Sequence, residues 1–398
     1  MAEVRLRQAS ALRGTNVLTT DPSPTRVASI PSNNFDALRL GLAVLVIYSH
    51  AYALGLGSEA AEPLQRLTRG QMSFGAMAVD LFFVLSGYLI TASAERSSSM
   101  GSYLSKRVRR IYPAFVVNAL LSVLIVVPLA HAVVRAPAIT NFIGETLRLR
   151  EFEYSSAFLG NPYPGPINGS LWSIQYEVWC YLGVAVLAAL GLLRRRWLLL
   201  GSFIVSVGVS VLWQVKGIVL GGKILGRILG SPQLWARMLP LYLAGVVAYA
   251  FREQIRLRAR GALFAIVVLI AACFLPCGWT LVFPFAGTYL ALYLAFAPWL
   301  RMHWFGRYGD FSYGTYLYAF PIAQIIMSRI GHPVSAWELF ALSTPPTLLA
   351  AVASWYGVER WFLPKARRKD EAKGMMCTQT VTTARSATGS VLEASADS

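Results

Sequence analysis

The chain has 398 residues, of which 56% are hydrophobic and only 14% charged, with a mean hydropathy of +0.51. Soluble domains carry about 25% charged residues, so a water-soluble globular enzyme is excluded and an integral membrane protein is expected. The formal charge of +17 does not point to nucleic acid, because the basic residues cluster in short links between apolar runs.

Residues 1–34 are polar and read as a disordered cytoplasmic tail without a cleavable signal. The first apolar run, LRLGLAVLVIYSHAYALGLG, holds Arg39 and His50 eleven positions apart. On a helix that spacing is three turns and about 16 Å, so the two share a face, one near a membrane surface and one near mid-depth. An ionisable pair in such a run is costly unless paired, solvated or used. A plainly packed histidine is the competing reading of His50.

Ten spanning helices are expected, at 35–54, 70–93, 111–133, 168–190, 197–215, 233–250, 261–276, 279–300, 311–329 and 337–358. The seventh is short, so eight or twelve remain open. Lys and Arg alternate in density between successive links, which predicts both termini in the cytoplasm, with Arg237 counted among the outer residues. The second run, GQMSFGAMAVDLFFVLSGYLITAS, contains Asp80, whose expected partner is His50 or Arg39. Ser86-Gly87 in the same run offers a surface for close helix packing.

The motif SYLSKRVRRIYP puts Lys106, Arg107, Arg109 and Arg110 directly before the third span, with Pro113 in its first turn. The run can set topology, touch anionic lipid or bind a phosphorylated cofactor. The stretch 134–167 is expected to be a shaped outer loop, since its end, NPYPGPING, is unfit for a helix interior. It leads into NGSLWSIQYEVWCYLG, where Ser173, Glu177 and Tyr181 fall on one face, with Trp172 beside Ser173 at its start. The cysteines (Cys180, Cys273, Cys277, Cys377) show neither metal-knuckle spacing nor a disulfide framework, and no metal site is expected. A Cys273–Cys277 bridge stays open. Residues 363–398 read as a second disordered tail, leaving 35–362 as one membrane domain of all-α, helix-bundle class.

These motifs together resemble the membrane-bound acyltransferases of the acyltransferase-3 type, which include bacterial polysaccharide and nodulation-factor O-acetyltransferases. The resemblance runs over about residues 33–362. It rests on the Arg39–His50 spacing, VDLFFVLSGYLI (Val79 to Ile90), KRVRRIYP (Lys106 to Pro113) and SLWSIQYE (Ser170 to Glu177). YGDFSYGTYLYAFPI (Tyr308 to Ile322) and YGVERW (Tyr356 to Trp361) also look like the family. One departure is Phe320, where many members carry a second histidine.

The resemblance implies a multi-pass enzyme of the bacterial inner membrane that moves an acetyl or other short acyl group from acyl-CoA to a carbohydrate hydroxyl. In that reading His50 is the general base. Asp80 or Glu177 orients it, as in a catalytic triad. Arg39 holds the donor or stabilises negative charge on the thioester oxygen. Arg107 and Arg110 grip donor phosphates, with Arg39 on the same side, and Trp172, Ser173 and Tyr181 meet the acceptor. A covalent acyl intermediate on Ser86 or Ser173 is a minor alternative. The partners expected are acyl-CoA, a carbohydrate and the bilayer, and not nucleic acid. Without the resemblance, a transporter or flippase would explain the same intramembrane charges, as would a scaffold in which they only specify packing.

Overall fold

The computed structural model describes residues 25–26 and 33–363, except 133–135, 152–153, 155–156, 218–225, 227–228 and 303. The expected tails therefore lie almost wholly outside the described residues, and Cys377 lies outside them too. Among the described residues the fold is all-helical apart from a short antiparallel ladder, β1 (Thr25–Arg26) with β2 (Arg256–Leu257), and one isolated bridge, Ala157 to Gly165. Cys180, Cys273 and Cys277 are free thiols.

The helices are α1 (Phe35–Leu56), α2 (Phe74–Glu95), α3 (Met100–Leu129), α4 (Ala136–Leu147), α5 (Trp172–Ala189) and α6 (Arg196–Lys216). They continue with α7 (Pro232–Ala250), α8 (Ala259–Ala272), α9 (Gly278–Ala295), α10 (Ser312–Ile330) and α11 (Ala336–Ser354). By length and composition α1, α2, α3, α6 and α9 are long and apolar enough to cross a membrane, and α8 is a shorter apolar helix. Three of the other long helices hold polar residues against the protein: Glu177 in α5, Arg237 in α7 and Gln324 in α10. Those polar residues lower the hydropathy of the three helices, and each is hydrogen-bonded within the protein.

Two elements differ from expectation. The basic run does not precede α3 but forms its first turns. Ser99 caps the helix by accepting from the Ser102 N–H, so Lys106, Arg107 and Arg110 are helical and Pro113 sits near the fourth turn, inside it. A polar helical start costs little where it protrudes from the apolar slab, and capping favours it. The other difference is α4, a helix within the stretch expected to be loop. Its sequence, APAITNFIGETL, places the proline in the first turn, where a missing N–H costs nothing. The prolines at 162–166 stay outside helices, as their chemistry requires.

Packing is tightest between α2 and α7. A Cβ on Gly87 would lie 2.1 Å from the Tyr242 carbonyl oxygen, and one on Gly245 would lie 2.0 Å from that of Val84. Only glycine allows two backbones this close, and small residues are the usual glue of helices in lipid. This contact aligns Asp80 on α2 with Arg237 on α7.

The helix starts and ends sort into two faces. One, the basic end, gathers the starts of α1, α3 and α10 with the ends of α2, α7, α9 and α11. The opposite, loop end gathers residues 149–169 with the starts of α5 and α7.

Candidate active site

At the basic end a cavity of about 890 Å³ is lined by residues of α1, α2, α3, α5, α7 and the segment before α10. Its cationic residues are Arg39, Arg96, Lys106, Arg107, Arg110 and Arg252, and its acids are Asp36, Glu177 and Asp310. Two helices, α1 and α3, and the segments just after α2 and α7 deliver those cations, so the patch is a product of packing rather than of one run.

The arginines divide by what they touch. Asp310 accepts from Arg39 at 2.5 Å and from Arg110 at 2.6 Å on the same oxygen, while its other oxygen accepts from the Ser312 hydroxyl and backbone N–H. Arg110 also donates to Glu359 at 2.9 Å, and its guanidinium lies against the rings of Tyr313 and Trp355. Glu359 in turn accepts from Ser354. The residue is placed there by a wide, π-type turn, Trp355–Glu359, that extends α11. Such turns recur at functional sites because they re-aim a side chain. Arg110 is thus held on every side. Arg107 is not: it donates to Ser93 through one terminal nitrogen, and its buried Nε has no partner. A buried donor left unsatisfied costs about 1–3 kcal/mol, so Arg107 has the stronger incentive to take a ligand anion.

Deeper in the same cavity, Glu177 accepts from Ser86 at 2.9 Å and from the Tyr181 hydroxyl at 2.5 Å. The Ser173 hydroxyl is engaged elsewhere. It pairs with Tyr316 at 2.7 Å, and Tyr316 also donates to the Ser170 carbonyl. The stripe Ser173–Glu177–Tyr181 therefore does not act as one surface: its outer member ties α5 to α10, and its inner two face the cavity.

His50 is not among that cavity's lining residues. Its Nδ1 is buried without a hydrogen-bond partner, and its ring meets Phe320 edge to face at 5.3 Å. The residue standing where relatives often have histidine thus packs directly on His50. Asp80 does not meet His50 or Arg39, contrary to expectation. Arg237 donates to it through Nε at 3.0 Å and through a terminal nitrogen at 2.9 Å, and also to the Ala76 carbonyl. Arg237 thereby leaves the outer link to which charge counting assigned it. No hydrogen bond or ion pair among the described residues joins His50, Asp80 and Glu177, so a preformed triad is absent there.

Sequence reasoning missed Asp310, Glu359 and Arg237. Each had a signal: Arg237 is a lone base inside an apolar run, and Asp310 and Glu359 are the acids of the YGDFSYG and YGVERW motifs. What was lacking was the pairing, which joins residues 271, 249 and 157 positions apart.

A helical protein with five helices apolar enough to cross a membrane, and with cations and carboxylates converging on one cavity, fits a membrane enzyme or a carrier. Comparison with known proteins decides between these. The family model described as an acyltransferase domain, of the acyltransferase-3 type, matches residues 32–356. The chain belongs to that family, and the protein is an acyltransferase. It is 29% identical over 360 residues to an O-acetyl transferase of Shigella phage Sf6, covering 85% of this chain and 98% of the relative. It is 28% identical over 359 residues to Nodulation protein 10 of Rhizobium leguminosarum bv. viciae, covering 82% and 92%. No solved structure matches.

Proposed function

We propose that the protein transfers an acetyl or other short acyl group from acyl-CoA, bound at the basic end, to a hydroxyl of a carbohydrate. The observation that carries this reading is the basic cavity, with the unpartnered Arg107 Nε at its wall and Glu177 within. A nucleotide phosphate suits Arg107, Lys106 and Arg96, since guanidinium and ammonium groups bind phosphate through charge-assisted bonds. Arg39 and Arg110 contribute differently. Locked on Asp310, they position the cavity wall, and Arg39 keeps N–H groups for a carbonyl oxygen gaining charge.

The chemistry requires a sugar O–H to lose its proton as its oxygen attacks the thioester carbonyl carbon. The C–S bond then breaks and the thiolate leaves, taking up a proton. In this reading His50 accepts the hydroxyl proton and returns it to the leaving sulfur. Placing the basic end at the cytoplasmic face of a bacterial inner membrane, with both termini on that side, follows the bias of Lys and Arg toward those links.

The test is CoA release from acetyl-CoA by the purified full chain, with its native cell-surface polysaccharide, de-O-acetylated by mild alkali, as acceptor. Release coupled to new O-acetyl groups in the polysaccharide is expected. Movement of the polysaccharide across vesicles without covalent change would instead establish a carrier.

A further inference from the structure

The loop end carries a second cavity, of about 610 Å³, separate in lining from the basic one. Its walls come from residues 149–151, 168–169, the first turns of α5, and the start of α7 with the chain just before it. That volume lies within the range of small-ligand sites. Among its lining residues the one cation is Arg150. Trp172 is 37% exposed and packs on Tyr176, which packs in turn on Trp235. Tyr176 accepts from the Ser231 N–H at 2.6 Å, which ties the middle of this aromatic ladder to the start of α7.

Polar groups face the same space. Glu151 is held by the Asn168 N–H at 2.7 Å and the Tyr154 hydroxyl at 3.0 Å, one donor to each oxygen. Each oxygen therefore keeps a lone pair. Gln233 accepts from the Ser231 hydroxyl through its amide oxygen, and its NH₂ has no partner among the described residues. An apolar ring face beside a fixed carboxylate and a free amide donor matches a polyhydroxylated ring, which has an apolar C–H face and hydroxyls that both donate and accept.

We infer that this loop-end cavity is the acceptor's binding site, with Trp172 as the stacking platform and Glu151 and Gln233 as the groups that read hydroxyls of a neutral sugar. The inference rests on the acyl-transfer reading above. Its floor points at the chemistry. Gly169 lines the cavity, and a Cβ there would lie 2.7 Å from the Phe320 ring, the ring that also packs on His50. Phe320 thus links the cavity floor at Gly169 to the proposed base, and the acceptor hydroxyl has only the width of that ring to cross to reach His50. One helix, α5, serves both cavities: Trp172, Gln175 and Tyr176 at the loop end, Glu177 and Tyr181 at the basic end.

Kinetics with acetyl-CoA and the alkali-treated native polysaccharide test this. Trp172→Ala and Gln233→Ala are expected to raise KM for the polysaccharide at least tenfold and leave KM for acetyl-CoA unchanged, with Trp172→Phe restoring most of the loss. Thermal melting in detergent checks that the variants fold, and Gln233→Glu, which keeps the size, replaces any that do not. Unchanged polysaccharide KM in folded variants overturns the acceptor site while leaving acyl transfer intact. Equal rises in both KM values also overturn it. No CoA release from the wild-type chain would overturn the acyl-transfer reading itself, and the acceptor site with it.

Discussion

The two ends of α5 solve different recognition problems with different materials. At the basic end, charge is gathered from α1, α3 and the segments that follow α2 and α7, and part of it is neutralised internally: Asp310 and Glu359 hold Arg39 and Arg110, leaving Arg107 with an unsatisfied donor. At the loop end the polar groups are a carboxylate held by neutral donors, amides, aromatic rings and a single cation, Arg150. The comparison teaches that a high count of cations in a cavity says little about ligand charge until their internal partners are subtracted. In the proposed reading the first end takes an anion and the second a neutral polyol.

Removing the proposed base should produce the largest effect. His50→Ala is expected to lower kcat for acetyl transfer by at least about 10²-fold, the usual worth of general-base catalysis, with both KM values little changed. Full activity in that variant would remove His50 from the chemistry. Next, Asp310→Ala leaves two arginines without their shared acceptor and should destabilise the protein by about 3 kcal/mol, seen as a lower melting temperature in detergent. Asp310→Asn should recover part of it.

Arg107→Ala should separate the ends. KM for acetyl-CoA is expected to rise about tenfold, or about 1.4 kcal/mol, with the polysaccharide KM unmoved, the mirror image of Trp172→Ala. Phe320→Ala removes the ring packed between Gly169 and His50 and should raise CoA release in the absence of polysaccharide several-fold as water reaches the base. A leak no greater than in wild type would mean that Phe320 does not shield His50.

The smallest expected effect concerns pH. Burial pushes the Glu151 carboxyl up to about 7, against the pull of Asn168 and Tyr154 in the other direction. For an acid whose pKa is raised on folding, the folded state favours the proton. The stability this contributes is present at low pH and lost as pH rises from the ordinary glutamate range through about 7. Melting temperatures of wild type should therefore fall relative to Glu151→Gln between pH 5 and pH 8. Parallel curves would show that Glu151 titrates normally.

Much of this molecule is legible in its chain because hydropathy and spacing are local. The apolar runs predict α1, α2, α6 and α9 to within a few residues, since a helix is the only open chain that satisfies its own backbone in lipid. The Arg39–His50 interval, the Lys106–Arg110 cluster and the Ser173–Glu177 pair mark the site for the same reason, as polar residues where none should be. The start of α3 was less legible because a capped polar helix and a polar link look alike in sequence. Which charge pairs with which was not legible at all. Asp80 goes to Arg237, Arg39 and Arg110 to Asp310, and His50 to Phe320. Those choices were made by glycine contacts between α2 and α7 and by the approach of α10 to α1 and α5, which no local pattern encodes. Sequence alone determined that costly groups sit inside a membrane fold. Only tertiary packing decided which of them neutralise one another and which stay available for substrate, because that depends on distances of a few ångströms between residues hundreds of positions apart.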